Sequence, residues 1–242
     1  VLSSTLNYAA SLIPEIGPNV VPIDDAMKLG YNWIYGPFEL LDQLGAQRVV
    51  ERMQSEGREV APILALAARQ QGFYQVANDQ LMSLTQSGEY AVLERPEGVL
   101  RFSELKQTLS PVFSNNKASW YEYDTAAIVE FHSKANALDA DSMAVIKHAL
   151  AQAQQRNLRG VVLHNDTQHF SCGVNLSAFR GFFEAGDYQG MDDFLNDFQQ
   201  TMHAMNTCPV PVIAAPVGMS IGGGFETVLA ADHVICHANS VM

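Results

Sequence analysis

Cys208-Pro-Val-Pro-Val-Ile-Ala-Ala-Pro-Val-Gly-Met-Ser-Ile-Gly-Gly-Gly-Phe-Glu226 is the stretch that decides how the second half of this chain is read. The apolar run Val210 to Ala215 has the length and β-branched content of a buried strand, and Pro216 and Gly218 end it. Gly222, Gly223 and Gly224 then open a helical pattern whose first carboxylate is Glu226. Glycines at a helix start let backbone N–H groups approach a ligand closely, and the helix dipole places partial positive charge there. Glu226 follows Gly223 by three residues, about one turn, so its carboxylate can face whatever those amides hold. That pairing is an oxyanion hole with an acid/base beside it. From Cys208 to Phe225 the stretch is uncharged and long enough to span a bilayer, but its three prolines and four glycines argue against a continuous lipid-spanning helix. The expectation is a soluble chain.

The bulk numbers narrow the function classes. A length of 242 residues allows one large domain or two small ones, and 48% hydrophobic content supports a proper core. A net charge of -12 argues against nucleic acid and anionic membrane surfaces as partners, so an anionic ligand must be held by local basic groups or backbone amides. Three widely spaced cysteines (Cys172, Cys208, Cys236) with no CxxC pair read as reduced thiols in a cytoplasmic protein. The chain opens Val1-Leu-Ser-Ser-Thr-Leu6, with no initiator Met and no basic segment. This is not a signal peptide; it reads as the middle of a helix, and the expectation is a piece of a longer protein.

Residues 1–88 are read as helical. Leu6, Ala9, Ala10 and Ile13 share a face that Pro14 and Pro18 end; Ile23 to Leu29 is a short helix stopped by Gly30; Gly36-Pro37 starts another, with Phe38, Leu40, Leu41 and Leu44 apolar and Gly45 after its end. Val49 to Ser55 and Val60 to Gln71 give two more helices. Residues 89–118 are read as extended segments around the turn Arg95-Pro-Glu-Gly98, followed by a linker. From residue 119 to 242 strand and helix alternate, which implies an α/β layered fold. Trp120 to Tyr123 and Ala126 to Phe131 form a hairpin, Gly160 to His164 and Val234 to Cys236 are strands, and Asp139 to Gln155 and Met191 to Met205 are helices. The last of these turns Phe194, Phe198, Met202 and Met205 inward.

A second turn follows the strand ending at His164: Phe170-Ser-Cys-Gly-Val-Asn-Leu176, in which the Val174 N–H can project into a site. Two such turns at the ends of consecutive core strands supply the pair of amides that oxyanion chemistry needs. Taken alone each has a plainer reading, a loop or a strand-to-helix turn. There is no GxGxxG or GK[ST] for a nucleotide. His233 and His237, four apart on a strand, do not make a metal site. Cys172 has no accompanying His–Asp arrangement and reads as a small side chain rather than a nucleophile. Asp232 reads as a turn residue, Glu39 and Asp42 as helix-dipole partners, and Phe179, Phe182 and Phe183 as core aromatics or the lining of an acyl pocket.

Residues 119–242 resemble the N-terminal half of the crotonase (enoyl-CoA hydratase/isomerase) superfamily. Four pieces match in order: the strand with Lys134-Ala-Asn-Ala-Leu138, the strand Val161-Val-Leu163, the Phe170–Leu176 turn, and Pro211-Val-Ile-Ala-Ala215 leading to Gly222-Gly-Gly-Phe-Glu226. The resemblance implies a crotonase-like spiral of β-β-α units, incomplete here. Val174 and Gly223 would donate the N–H groups to a CoA thioester oxygen, and Glu226 would be the first catalytic glutamate. Lys134, Ala135, Asn136, Ala137 and Leu138, with Ser171, Gly173 and Gly222, would lie along bound CoA. Val174-Asn175 stands where the family often has Ala-Asp, and Thr227 replaces a common Leu. The second glutamate of the hydratases would lie beyond Met242, so the expectation is that this chain alone is inactive.

Residues 1–85 resemble the C-terminal helical domain of 3-hydroxyacyl-CoA dehydrogenases through Asn7-Tyr-Ala-Ala-Ser-Leu-Ile-Pro-Glu-Ile16, Ile23-Asp-Asp-Ala-Met-Lys-Leu-Gly30 and Gly36-Pro-Phe-Glu-Leu-Leu-Asp-Gln-Leu-Gly45. The order of the two parts is that of bacterial fused fatty-acid β-oxidation enzymes. The resemblance implies 2-enoyl-CoA hydration in a protein that is also a 3-hydroxyacyl-CoA dehydrogenase, with NAD bound only by an upstream domain and no cofactor or metal held by these residues. It also implies homo-oligomers, trimers or higher, and a thiolase partner. Enoyl-CoA isomerisation, another crotonase chemistry such as thioester hydrolysis, or a non-catalytic structural module are the alternatives.

Overall fold

The computed structural model describes residues 1–242, which form two compact units, Val1–Thr108 and Leu109–Met242. No helix is long and apolar enough to cross a membrane.

The first unit holds α1 (Leu2–Ser11), α2 (Val21–Tyr31), α3 (Pro37–Leu44), α4 (Ala46–Ser55) and α5 (Pro62–Arg69). It continues with β1 (Tyr74–Ala77), β2 (Gln80–Leu84), β3 (Tyr90–Val92) and the short α6 (Phe102–Leu105). Leu6, Ala10, Val20, Phe38, Leu41, Met53, Leu64, Phe73 and Leu84 make its core. α3 begins where Pro37 fixes the first helical φ; Glu39 returns its carboxylate to the Gly36 N–H at 2.9 Å, while the Glu39 N–H, which glycine has no side chain to receive, donates to Asp24 of α2 at 3.2 Å. α2 runs through Gly30 and stops at Asn32, which takes the left-handed conformation (φ 55°) that Asn tolerates.

Three strands lie in or beside the segment that the sequence reads as helical. Asn78 and Asp79 both have positive φ (52° and 56°) and join β1 to β2 in a two-residue hairpin, with Ala77 opposite Gln80. That backbone shape is the one whose twist matches the strands it connects, and Asn and Asp accept it at small cost. β3 pairs antiparallel with β2. Beyond Val92 the expected turn closes with Val99 N donating to Pro96 O at 3.0 Å, and Arg95 bonds to Asp25 and Glu104 while Arg101 pairs with Asp25, which ties the approach to α6 onto α2.

The second unit contains β4 (Phe113–Ser114), β5 (Ala118–Tyr123), β6 (Ala126–Phe131), a 3-10 turn (Lys134–Asn136), α7 (Ala140–Gln155), β7 (Gly160–His164) and β8 (His169–Ser171). It goes on with α8 (Leu176–Ala185), α9 (Tyr188–Asn206), β9 (Val212–Ala215), β10 (Met219–Ser220), α10 (Gly223–Leu229) and β11 (His233–Val234). Six strands form one sheet in the order β11-β9-β7-β6-β5-β4. β6, β7, β9 and β11 are parallel neighbours, and β5 joins β6 as an antiparallel hairpin. The stretch read as a linker thus carries an edge strand, β4. β8 and β10 pair in parallel as a separate small sheet. β6 is buried from Ala127 to Phe131, as a central strand covered on both faces must be. α7 covers the sheet with Met143, Val145, Ile146, Ala149, Leu150 and Ala153, and Asp139 caps it by accepting from Ser142 N at 3.3 Å. The architecture is mixed α/β and crotonase-like.

Candidate oxyanion site at the meeting of two turns

The small β8–β10 sheet brings the two small-residue turns together. Ser171 lies opposite Ser220, and Ile221 N donates to Ser171 O at 3.1 Å. The chain leaves β8 through Gly173 (φ 91°), a conformation for which glycine is suited, and a Cβ at Gly173 would stand 2.8 Å from Ile221 O and 3.3 Å from Gly223 N. The backbones of the two turns are therefore in contact.

The hydrogen bonding leaves the expected donors open. Leu138 and Val174 form a parallel bridge in which Leu138 N donates to Gly173 O (2.8 Å) and Leu138 O accepts from Asn175 N (2.8 Å). In a parallel bridge the residue whose two groups bond to the flanking positions leaves its partner's own N–H and C=O directed to the other side. Val174 N–H consequently has no acceptor in the chain. Gly223 is the first residue of α10, where helical geometry provides no acceptor for its N–H, and it finds none elsewhere. Gly223 itself is buried.

Glu226, one turn into α10, is exposed and lines a groove of about 430 Å³ with Phe198, Met202 and His203 of α9 and Leu229 of α10. Phe198 also touches Gly223: a Cβ there would lie 3.2 Å from its Cζ. The groove with the carboxylate thus opens beside the buried amide. Phe198 and Met202 were legible only as inward-facing positions of a helix; nothing local marks them as groove walls, and His203 carried no signal at all.

The remaining candidates divide by depth. Lys134 and Ala135 are exposed and Ala137 half-buried, whereas Asn136 (6% exposed), Leu138 and Ser171 (both 0%) point into the protein. Ser171 Oγ donates to Asn136 O (2.7 Å) and accepts from Gly173 N (3.1 Å), and Asn136 Nδ2 reaches His169 O at 2.8 Å. These side chains hold the 3-10 turn against β8, so a ligand along this edge meets Lys134, Ala135 and backbone. Gly222 is exposed at the mouth of the helix.

The other residues have structural partners. Asp232 accepts from Val212 N at 2.8 Å and fixes the start of β9. Asp42 is not a helix-dipole partner; it receives Phe73 N (2.8 Å) and Tyr74 N (2.9 Å) and sets the entry to β1. Phe179 and Phe182 pack on Phe194, while Phe183 is 65% exposed.

Residues 122–242 match the family described as Enoyl-CoA hydratase/isomerase. The chain belongs to that family. Relatives of the whole chain are longer proteins. It is 31% identical over 245 residues to the "Probable 3-hydroxyacyl-CoA dehydrogenase" of Bacillus subtilis (strain 168), covering 100% of this chain and 31% of that protein. It is 24% identical over 238 residues to the "Putative fatty acid oxidation complex trifunctional enzyme" of Rickettsia prowazekii (strain Madrid E), covering 95% of this chain and 29% of that protein. The chain thus spans about a third of the length of these relatives. Among solved structures, an enoyl-CoA hydratase from Polaromonas sp. JS666 is similar at 25% identity and a TM-score of 0.48, over 51% of this chain and 49% of that one. The enoyl-CoA hydratase/isomerase family portion begins in β5 and includes every candidate at the two turns.

Proposed function

We propose that the second unit hydrates 2-enoyl-CoA thioesters to 3-hydroxyacyl-CoA. One observation carries this reading: two turns in backbone contact, each presenting an N–H without an acceptor, beside a groove that holds a carboxylate. The thioester oxygen lies between the Val174 and Gly223 amides. Water adds its oxygen to C3, the C2=C3 electron pair moves toward the carbonyl, and the resulting enolate oxygen is held by the two N–H groups. A proton then joins C2 as the enolate collapses. Glu226 manages the proton, taking it from water as the C3–O bond forms and returning it to C2. Fixed amides of this kind are worth roughly 3–4 kcal/mol each to such an oxyanion. The CoA portion runs along Lys134 and Ala135, with Ala137, Gly173 and Gly222 beside it, while Asn136, Leu138 and Ser171 support that edge from beneath.

The whole-length similarity to proteins named as a 3-hydroxyacyl-CoA dehydrogenase and a fatty acid oxidation enzyme supports a place in β-oxidation. In this reading the first unit is a dehydrogenase-type helical domain, NAD binds in another domain, and the protein is a cytoplasmic homo-oligomer that works with a thiolase.

Crotonyl-CoA hydration by the natural protein carrying these residues, with and without Glu226→Gln, tests the assignment. The expected loss is about 10²-fold or more. Hydration indifferent to the change removes Glu226 from the mechanism, and conversion of 3-enoyl-CoA without hydration makes the site an isomerase.

A further inference from the structure

Val174 and Phe198 converge on one point. A Cβ on Gly223 would lie 2.8 Å from Val174 Cγ2 and 3.2 Å from Phe198 Cζ, so a branched side chain from one turn and a ring from α9 both stand against the same glycine. Neither is free to swing away: Phe198 is 5% exposed, and Val174 packs against the same core cluster. Phe198 is also a wall of the groove that contains Glu226.

With the thioester oxygen between the amides of Val174 and Gly223, C2 of the acyl group is two bonds away, beside the glycine against which both side chains stand, and Phe198 continues into the wall of the groove that holds Glu226. We propose that Val174 and Phe198 set the width of the cleft at C2 and restrict the substrate to acyl chains without a branch there. The proposal rests on the oxyanion reading above. Apolar walls of this kind discriminate by the space for one methyl group, which in other enzymes is worth about 10–200-fold.

The test compares kcat/KM for hydration of crotonyl-CoA and 2-methylcrotonyl-CoA by the natural protein, Val174→Ala and Phe198→Leu. An α-methyl group lowers the intrinsic reactivity of the alkene in every variant alike, so the readout is the change in the ratio between the two substrates. Each substitution is expected to move that ratio about tenfold toward the methylated substrate. If Val174→Ala does not fold, as circular dichroism will show, Phe198→Leu carries the test. An unchanged ratio, with crotonyl-CoA hydration still dependent on Glu226, overturns this inference and leaves the oxyanion reading standing. Failure of the unaltered protein to hydrate crotonyl-CoA removes the hydratase reading and this inference with it.

Discussion

Gly224 rests directly on Ser171: a Cβ at Gly224 would lie 2.6 Å from Ser171 O and 2.7 Å from Ser171 Cβ. One of these atoms is backbone and the other is fixed directly to it, so neither can rotate out of the way, and the third glycine of the triplet is there for packing rather than for a ligand. Gly224→Ala is expected to push β8 and α10 apart and to cost about 1–3 kcal/mol, the usual range for overpacking. Urea unfolding followed by Trp120 fluorescence in the second unit measures it. A midpoint equal to that of the unaltered protein would mean that the two turns are not in the contact described.

Ser171→Ala tests the same joint from below. Its hydroxyl serves two backbone groups, Asn136 O and Gly173 N, in a fully buried position. Removing it leaves both without that partner, at about 1–3 kcal/mol for a buried unsatisfied group. Because Ser171 does not reach the surface, affinity for free CoA should change less than stability does. A large loss of CoA affinity in a protein of normal stability would instead place the serine against the ligand.

How much of this was legible in the sequence depends on the range of the interaction. The two turns were, because glycines and small residues mark the backbone locally and the donors at Val174 and Gly223 are backbone groups. The groove was not. Helical periodicity shows that Phe198 and Met202 face inward, but it cannot say that they face Glu226, which lies in a different element. Likewise, the spacing of Lys134 to Leu138 located an edge without distinguishing the exposed Lys134 from the buried Leu138. The β1–β2 hairpin was missed for a different reason: Asn78-Asp79 is its only punctuation, and the flanking apolar residues also fit a helix.

His164 gives the second unit a pH-dependent clasp. At the end of β7 its Nδ1 lies 2.9 Å from Ala215 O and its Nε2 lies 2.8 Å from Asp166 Oδ1, both acceptors, so only the imidazolium satisfies both. Burial opposes the charge, but Asp166, the Ala215 carbonyl and the nearby Glu130 outweigh it and raise the pKa above the ordinary 6.5. A raised folded-state pKa stabilises fully below the unfolded value and is lost as pH rises through the folded one. The imidazole NMR titration of His164 should therefore have its midpoint above 6.5, and Asp166→Asn should lower it. A midpoint below 6.5 would show that burial prevails.

In the first unit the pH dependence falls in a lower window and has two sources. Asp24 is 1% exposed; it accepts from Phe38 N (2.8 Å), Glu39 N (3.2 Å) and the Tyr74 hydroxyl (2.7 Å), joining α2 to the start of α3 and to β1. Burial pushes its carboxyl up to about 7, against those donors and Lys28 and with the help of the neighbouring Glu39. Asp42 is pushed up to about 6, again chiefly by burial. Both folded values exceed the ordinary 3.8, so their contribution is complete below about pH 4 and is lost as pH rises toward 7. Asp25 has the opposite sign: its bonds to Arg95 and Arg101 outweigh burial and lower its pKa, so its contribution is lost only as pH falls below the ordinary range. Between pH 4 and 7 the stability of this unit should decline with rising pH, by up to about 1.4 kcal/mol per pH unit for each proton released. Urea midpoints reported by Trp33, together with exchange of the Phe38 and Tyr74 amides, follow it. Stability that rises across this window would mean that the bonded, ionised carboxylates are preferred to the protonated ones despite their burial.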